Sequence, residues 1–400
     1  MIVVVTCVLL LLGELILRFG LGLGGPPPVS DRQPPYVYNP DYGLALRADF
    51  ELAYNDKSNG IENQVWSTNS QGFRGPELRD DAAPRVMVYG DSQIHGKEVS
   101  LEDTFVKQLE KRLQAQGFPD AEVVNAGLSG AGPDQNLIRI ETESLQYEPD
   151  VIVFTVFADN DFGDLMRNRL YELNDSGELQ RVSYPVVIDQ MLEPPRSLLK
   201  ESGWAALANT LQKKLSPPRS PGSITAEERI QKGLVLAEAE YEVYAKGKPR
   251  EFSHYDDRYD MDLALFPQQE SSQTKRELMT AVLGRMQAFT EANGVGFLIL
   301  ILPSPMDMTE NFAWYSYKDF AAYEEYGQKN LSDAVLYGCE ASSINCVNLY
   351  PVYEQHDPAS LYYSHRNNHW NEKGQSLAAD AVLPALLETL VQREAEVAAD

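Results

Sequence analysis

Five short, largely apolar runs lie at 85–89, 121–124, 151–156, 295–302 and 346–349, each followed by small or polar residues. Runs of this length predict strands buried on both faces, as in a parallel sheet. Between and after them, apolar residues recur at helical spacing near 101–116, 134–146, 272–293, 316–337 and 374–391. In the first of these stretches Phe105, Leu109 and Leu113 share one face. Strands alternating with helices predict a three-layer α/β/α domain with a mainly parallel sheet and helices on both faces. Residues 36–75 read as a β-rich lead-in beside it.

About 360 residues is large for one core of this class, so part of the chain should be an elaboration. The long gap after the third strand contains a second helix-like stretch, Ala226 to Lys246, and Pro- and Tyr-rich loops including Ser216-Pro217-Pro218. We therefore read residues 164–270 as an insertion above the strand ends, within a domain spanning 41–400. Its aromatics Tyr171, Tyr184, Trp204, Tyr241, Tyr244, Tyr255 and Tyr259 are candidates either for packing or for stacking on sugar faces.

The first 24 residues form a separate region. Met1 to Gly13 is almost wholly apolar, and the segment runs on to Gly24 with only Glu14 and Arg18 charged, one helical turn apart. That is enough chain to reach across a bilayer, which needs about 20 residues. An uncleaved membrane anchor is the expectation, with a signal peptide and a packed amphipathic helix as rivals. Residues 25–40, with Pro26, Pro27, Pro28, Pro34 and Pro35, read as an extended linker. These readings place the body outside the cytoplasm, in the periplasm or beyond.

The candidate chemistry sits at the ends of the first three strands and before the last helix. Gly90-Asp91-Ser92-Gln93 follows the first strand, and a serine raised to the carboxyl end of a parallel sheet is a candidate nucleophile. Asp91 is expected to cap the helical turn that follows. After the second strand, Asn125-Ala126-Gly127-Leu128-Ser129-Gly130-Ala131-Gly132 makes a tight loop with amides available, Gly130 being the candidate donor. Ala158-Asp159-Asn160-Asp161 after the third strand places the Asn160 amide at the same sheet edge. Near the C-terminus, Asn367-Asn368-His369-Trp370-Asn371-Glu372-Lys373-Gly374 leads into a helix and offers His369 as the base.

At these four blocks the chain resembles the SGNH (GDSL-type) hydrolase family, serine esterases and acyltransferases on a flavodoxin-like fold. Ser92, Gly130, Asn160 and His369 match the family's residues in order. The stretch Asn69-Ser70-Gln71-Gly72-Phe73-Arg74-Gly75-Pro76-Glu77 is similar to the lead-in of membrane-anchored or exported bacterial members. The resemblance covers about residues 65–165 and 275–390. It implies a serine esterase that removes acetyl or other short acyl groups, with a carbohydrate ester as one substrate class. The alternatives are transfer of the acyl group to a polysaccharide and a silent glycan-binding protein. This chain departs from the family where an aspartate is expected just before the histidine: those positions hold Arg366 and Asn367. The imidazole could instead be oriented by the Asn367 side chain, by a main-chain carbonyl, or by Asp357, the nearest carboxylate in sequence.

The remaining features bound the function. His95, His254, His356 and His365 lack metal-ligand spacing, and no metal or cofactor is implied. The run Asp256, Asp257, Asp260 and Asp262 lacks the glycine and glutamate of a calcium loop and reads as a solvated loop. With 59 acidic against 34 basic residues the net charge is −25, which opposes nucleic-acid binding. A salt-adapted surface would look the same. Cys339 and Cys346 are near enough in sequence to pair in an oxidising compartment, and buried free thiols are the other reading.

Overall fold

The computed structural model describes residues 2–17, 35–56, 60–182, 202–204, 207–208, 225–248, 258–364 and 366–397. The chain divides into two compact units. One comprises residues 1–37 and 188–225, the other 38–187 and 226–400.

In the first unit the apolar N-terminus forms the helix Ile2–Leu15, with Leu9, Leu10, Leu11, Leu12, Leu15 and Ile16 exposed. The Glu14 carboxylate accepts the Gly203 amide at 2.9 Å, and the Trp204 indole donates to the Leu10 carbonyl at 3.2 Å. Among the described residues, no helix is long and apolar enough to cross a membrane. Residues 18–24, the Pro-rich 25–34, Ser216-Pro217-Pro218, Tyr184 and Tyr255 lie outside the described residues.

The second unit is built on five parallel strands: β1 (Arg85–Tyr89), β2 (Glu122–Asn125), β3 (Val151–Ala158), β4 (Gly296–Pro303) and β5 (Asn345–Asn348). Their order across the sheet is β2-β1-β3-β4-β5, the doubly wound flavodoxin-like arrangement. β1 and β3 are buried at every position, as the continuous apolar runs predict. Alternate residues split between two cores. Val86, Val88, Val151, Val153, Leu298 and Leu300 pack with α1 (Phe105–Ala115) and the C-terminal helix α7 (Glu372–Val397). Their neighbours Met87, Ile152, Phe154, Ile299 and Ile301, equally buried, face the other layer. That layer holds α2 (Pro133–Glu143), α5 (Glu270–Ala292) and α6 (Asn330–Ala341). Two further helices, α3 (Asp161–Asn168) and α4 (Ala226–Ala245), stand at the strand ends. Cys339 on α6 and Cys346 on β5 form a disulfide.

The lead-in holds the hairpin Glu51–Asp56 and Ile61–Ser67. Just beyond it, buried Arg74 reaches under the nucleophile turn. Its guanidinium donates to the carbonyls of His95 (2.7 Å), Gly96 and Val99 (2.7 Å), while its own amide donates to the Asn125 carbonyl. A lead-in that supplies donors to a loop with no regular partners is a structural part of the sheet edge.

Two expectations need correcting. The helix predicted over 316–337 is broken into a single turn, Tyr317–Phe320, and α6, which begins only at Asn330. The intervening turn delivers the Tyr326 hydroxyl to Asp307 at 3.0 Å, beside the Tyr259 hydroxyl at 2.6 Å on the same oxygen. Satisfying a buried carboxyl there outweighs the helical periodicity. The acidic run is not a solvated loop over its described part. Asp260 and Asp262 are buried and both bind the ammonium of buried Lys275, at 2.9 and 2.6 Å. The sequence pattern hid this because their partner lies on α5. Asp256 and Asp257 lie outside the described residues.

Burial pushes the Asp307 carboxyl up to about 7, although its two tyrosine hydrogen bonds pull the other way. A raised folded-state value means the folded protein binds this proton more tightly than the unfolded chain, whose carboxyl titrates near 4. The stabilisation is therefore complete below about pH 4 and is lost as pH rises to about 7, at up to about 1.4 kcal/mol per pH unit. Asp307→Asn removes this dependence. Urea unfolding from pH 4 to pH 8 should show the variant gaining on the wild type across that window. Parallel profiles would contradict the assignment.

Candidate active site

Ser92 opens the turn Ser92–His95 immediately after β1. Asp91 caps that turn by accepting the Gln93 amide at 2.8 Å, as read from the sequence. Gly90 is needed because a Cβ there would sit 2.6 Å from the Ile94 side chain. Ser92 itself is half-buried at the carboxyl edge of the sheet.

His369 comes from the far end of the chain, on a short strand, Asn367–Trp370, paired antiparallel with Tyr362–Ser364. Its Nε2 lies 2.9 Å from Ser92 Oγ. Three hydrogen bonds hold the two segments together through Gln93, the residue after the serine. The Gln93 side-chain Nε2 donates to the Asn368 carbonyl at 3.2 Å, its Oε1 accepts the Trp370 main-chain amide at 3.3 Å, and its main-chain carbonyl accepts the Trp370 indole at 2.9 Å. Trp370 is buried and packs on Phe105 at the start of α1, with ring centroids 5.7 Å apart.

The other face of the imidazole meets Asn367. Asn367 Oδ1 lies 2.7 Å from His369 Nδ1 and also accepts the His369 main-chain amide at 3.0 Å. A main-chain N–H can only donate, so the Asn367 atom facing it is the oxygen. Nδ1 therefore carries the proton, and Nε2 presents its lone pair to the serine hydroxyl. Asp357 is exposed, at the start of the turn Pro358–Ser360, where its carbonyl accepts from Ser360. Of the two side chains read as orienters, Asn367 is the one at hydrogen-bond distance.

The loop after β2 lies against the nucleophile turn. Leu128 donates its amide to the Gly90 carbonyl at 3.0 Å, and Asn125 donates its side-chain amide to the Ile94 carbonyl at 2.8 Å. The two backbones approach so closely that a Cβ on Gly127 would lie 2.3 Å from the His95 nitrogen. Gly130 has φ of 75°, a conformation glycine adopts without strain, and its amide makes no hydrogen bond among the described residues. Asn160 is buried at the end of β3, and its side chain donates to Asp164 Oδ2 at 3.0 Å. Asn160 thus stands at the predicted strand end, with one N–H engaged by that carboxylate.

Sequence reasoning missed several residues here. His95, weighed only as a metal ligand, is fully buried, edge-on to Trp66, and 2.7 Å from Ser129 Oγ through Nδ1. Burial and the nearby Arg74 hold its pKa well below the usual histidine value, so it stays neutral and links the two loops. Gln93 carried no sequence signal, since its partners lie 275 and 277 residues away. Asp161, next to Asn160, is pushed well above the usual carboxylate range by burial, with Asp91 and Asp164 adding like charge. The aromatics of the insertion divide: Tyr171 and Tyr259 are core, while Trp204 belongs to the other unit.

No protein-family model matches the chain, and no curated protein matches it significantly. Solved structures similar to it include an alpha/beta hydrolase enzyme from the metagenome of Lake Arreo, Spain, at 14% identity and a TM-score of 0.36, covering 76% of this chain and 95% of that one. A lipase/acylhydrolase from Enterococcus faecalis has 12% identity and a TM-score of 0.36, over 76% and 95%. An acetyl xylan esterase from Geobacillus stearothermophilus has 11% identity and a TM-score of 0.36, over 77% and 95%. The fold assignment itself rests on the strand order.

Gln93→Ala deletes two of the three bonds that join the serine turn to the histidine strand. Each partner left unpaired costs about 1–3 kcal/mol, so the variant should lose roughly 2–6 kcal/mol in urea unfolding. A crystal structure of the variant should show Ser92 Oγ and His369 Nε2 beyond hydrogen-bond distance. An unchanged separation would show that the clamp does not position the pair.

Proposed function

We propose that this protein is a serine esterase of the SGNH type that hydrolyses acetyl or other short acyl esters carried on a carbohydrate. The observation that carries the reading is the chain of contacts from Ser92 Oγ to His369 Nε2 at 2.9 Å and from His369 Nδ1 to Asn367 Oδ1 at 2.7 Å. A hydroxyl against an imidazole whose other nitrogen is held by an acceptor is the arrangement of an activated nucleophile.

In the proposed reaction His369 Nε2 takes the Ser92 proton as Oγ attacks the ester carbonyl. The oxyanion is received by the Ser92 and Gly130 amides, with the Asn160 side chain as third donor. The tetrahedral intermediate collapses as His369 returns the proton to the departing alcohol, leaving an acyl-serine. Water then attacks this ester, His369 again taking and returning the proton, and the free acid and Ser92 are released. Asn367 keeps the proton on Nδ1 throughout.

In serine proteases an amide in place of the triad aspartate lowers turnover about 10⁴-fold because it favours the wrong tautomer. Here the second N–H bound by Asn367 Oδ1 removes that fault, so an amide suffices for orientation but supplies no charge to the imidazolium. With 4-nitrophenyl acetate as substrate, Ser92→Ala should lose at least about 10³ in kcat. Asn367→Asp should instead raise kcat by about tenfold or more. Equal turnover by wild type and Ser92→Ala would end the esterase reading, and a slower Asn367→Asp variant would remove Asn367 as the orienting group.

The same proposal places the protein at the cell envelope, anchored by its N-terminal segment with the catalytic unit outside the cytoplasm. Support comes from the exposed leucines of the helix Ile2–Leu15 and from the Cys339–Cys346 disulfide, a bond typical of oxidising compartments. After carbonate washing of membranes the full-length chain should stay in the pellet. Release of the whole population into the wash would remove the anchor.

A further inference from the structure

The oxyanion site of the proposed reaction takes its two main-chain donors from different loops, the Ser92 amide from the nucleophile turn and the Gly130 amide from the loop after β2. Their relative position depends on how the second loop is tied to the first. The Ala131 amide donates to the Leu128 carbonyl at 3.0 Å and closes a four-residue turn with Ser129 and Gly130 as its central pair. Positive φ at Gly130 but not at Ser129 is the type II pattern.

That closing bond leaves the direction of the Gly130 N–H open. Type I and type II turns share such a bond and differ by a flip of the peptide plane between the two central residues, and that plane carries the Gly130 N–H. The ends of the turn are held from outside: Leu128 donates its amide to the Gly90 carbonyl at 3.0 Å, and the Ala131 carbonyl accepts the Asn136 side chain at 3.3 Å. Within the central pair the one side chain is that of Ser129, since its neighbour is a glycine. Its Oγ lies 2.7 Å from His95 Nδ1.

His95 is a firm anchor. It ends the turn that Ser92 opens, and it is completely buried. Its amide donates to the Asp91 carbonyl at 3.0 Å, and its carbonyl accepts the Arg74 guanidinium at 2.7 Å. Its ring stands edge-on to Trp66 of the lead-in hairpin, with centroids 4.8 Å apart. Burial keeps the ring neutral, so it binds the hydroxyl without a buried charge. Ser129 itself is half-buried, within reach of water, so its bond to His95 is not imposed by burial. Both oxyanion donors are thereby referred to one rigid piece, the turn Ser92–His95.

We propose that Ser129, held by His95, is a positioning residue for the reaction: it fixes the peptide plane that turns the Gly130 N–H toward the oxyanion. The inference rests on the esterase reading and adds the part that presets its second donor.

The test uses the full-length protein. Ser129→Ala removes the tether and leaves every main-chain bond of the turn available. With 4-nitrophenyl acetate, and rates normalised to sites titrated with a fluorophosphonate, kcat should fall about tenfold or more while KM changes less than about twofold, as for a donor misplaced in the transition state. The Ki of a trifluoromethyl ketone, whose adduct with a serine carries an oxyanion, should rise by a similar factor. Ser129→Thr, which keeps the hydroxyl, should recover most of both. Unchanged kcat and Ki in Ser129→Ala overturn the inference. Fewer titratable sites with normal kcat at those that remain also overturn it, because the hydroxyl would then serve stability alone. Equal losses in the alanine and threonine variants do the same. Turnover that needs Ser92 but is untouched by Ser129→Ala sinks this inference and leaves the esterase reading standing. Should wild type and Ser92→Ala turn over equally, the esterase reading falls and crystal structures of wild type and Ser129→Ala decide the tether separately. A rotated Ser129–Gly130 peptide supports it, and a superimposable turn refutes it.

Discussion

The hydrogen bonds between Gln93 and the strand Asn367–Trp370 are the constraint on which the rest of the site depends. A serine that ends the first strand of a parallel sheet has no local route to an imidazole encoded 277 residues later. The fold brings them near by burying Trp370 against Phe105, a hydrophobic contact that fixes position only loosely. The glutamine supplies the direction. Its two side-chain bonds, with the indole bound to its carbonyl, set the register between the segments, and the separation of Ser92 and His369 follows from it. Gln375 does the same one layer away, accepting the Phe105 amide at 2.7 Å and so tying α7 to the start of α1.

Around this clamp the sheet edge is kept in shape by polar groups that have been made neutral or paired. Neutral His95 can bridge to Ser129 at no cost of buried charge. Arg74, which keeps its charge, spends it on three loop carbonyls. Arg167 lies between Asp164 and Glu240, and Lys275 between Asp260 and Asp262. A buried ion with one partner removed costs about 3–5 kcal/mol, so these groups fix one arrangement of α3, α4 and α5 above the strand ends.

How much of this was legible in the sequence follows from the range of each interaction. The strands were legible because burial on both faces leaves continuous apolar runs, and their boundaries moved by at most two residues. Ser92, Asn160 and His369 could be singled out because each lies at a strand end or just before a helix, and Gly130 because it sits in a glycine-rich loop, all local properties. The broken helix after residue 320 and the buried pair Asp260 and Asp262 were misread, since their decisive partners, Asp307 and Lys275, are remote in sequence. Gln93 and His95 looked ordinary for the same reason. Trp314 and Tyr315 lay outside the aromatics singled out, although the cluster Phe312, Trp314, Tyr315 and Tyr317 was visible.

The missing aspartate separates two jobs that a carboxylate usually performs together. Orientation is a matter of which atom faces Nδ1, and the oxygen of Asn367 meets that need because the His369 main-chain amide dictates which end of the side chain turns inward. Charge is a matter of Coulomb energy, which falls as the inverse of distance and is weakened by the surrounding medium. With a neutral partner at 2.7 Å, an imidazolium at His369 has an amide oxygen and no carboxylate against Nδ1. The site is therefore built to present the serine's proton acceptor correctly while leaving the charged state of that acceptor only partly compensated. Such an arrangement suits a substrate whose binding energy, drawn from groups remote from the reacting carbonyl, lowers the rest of the barrier.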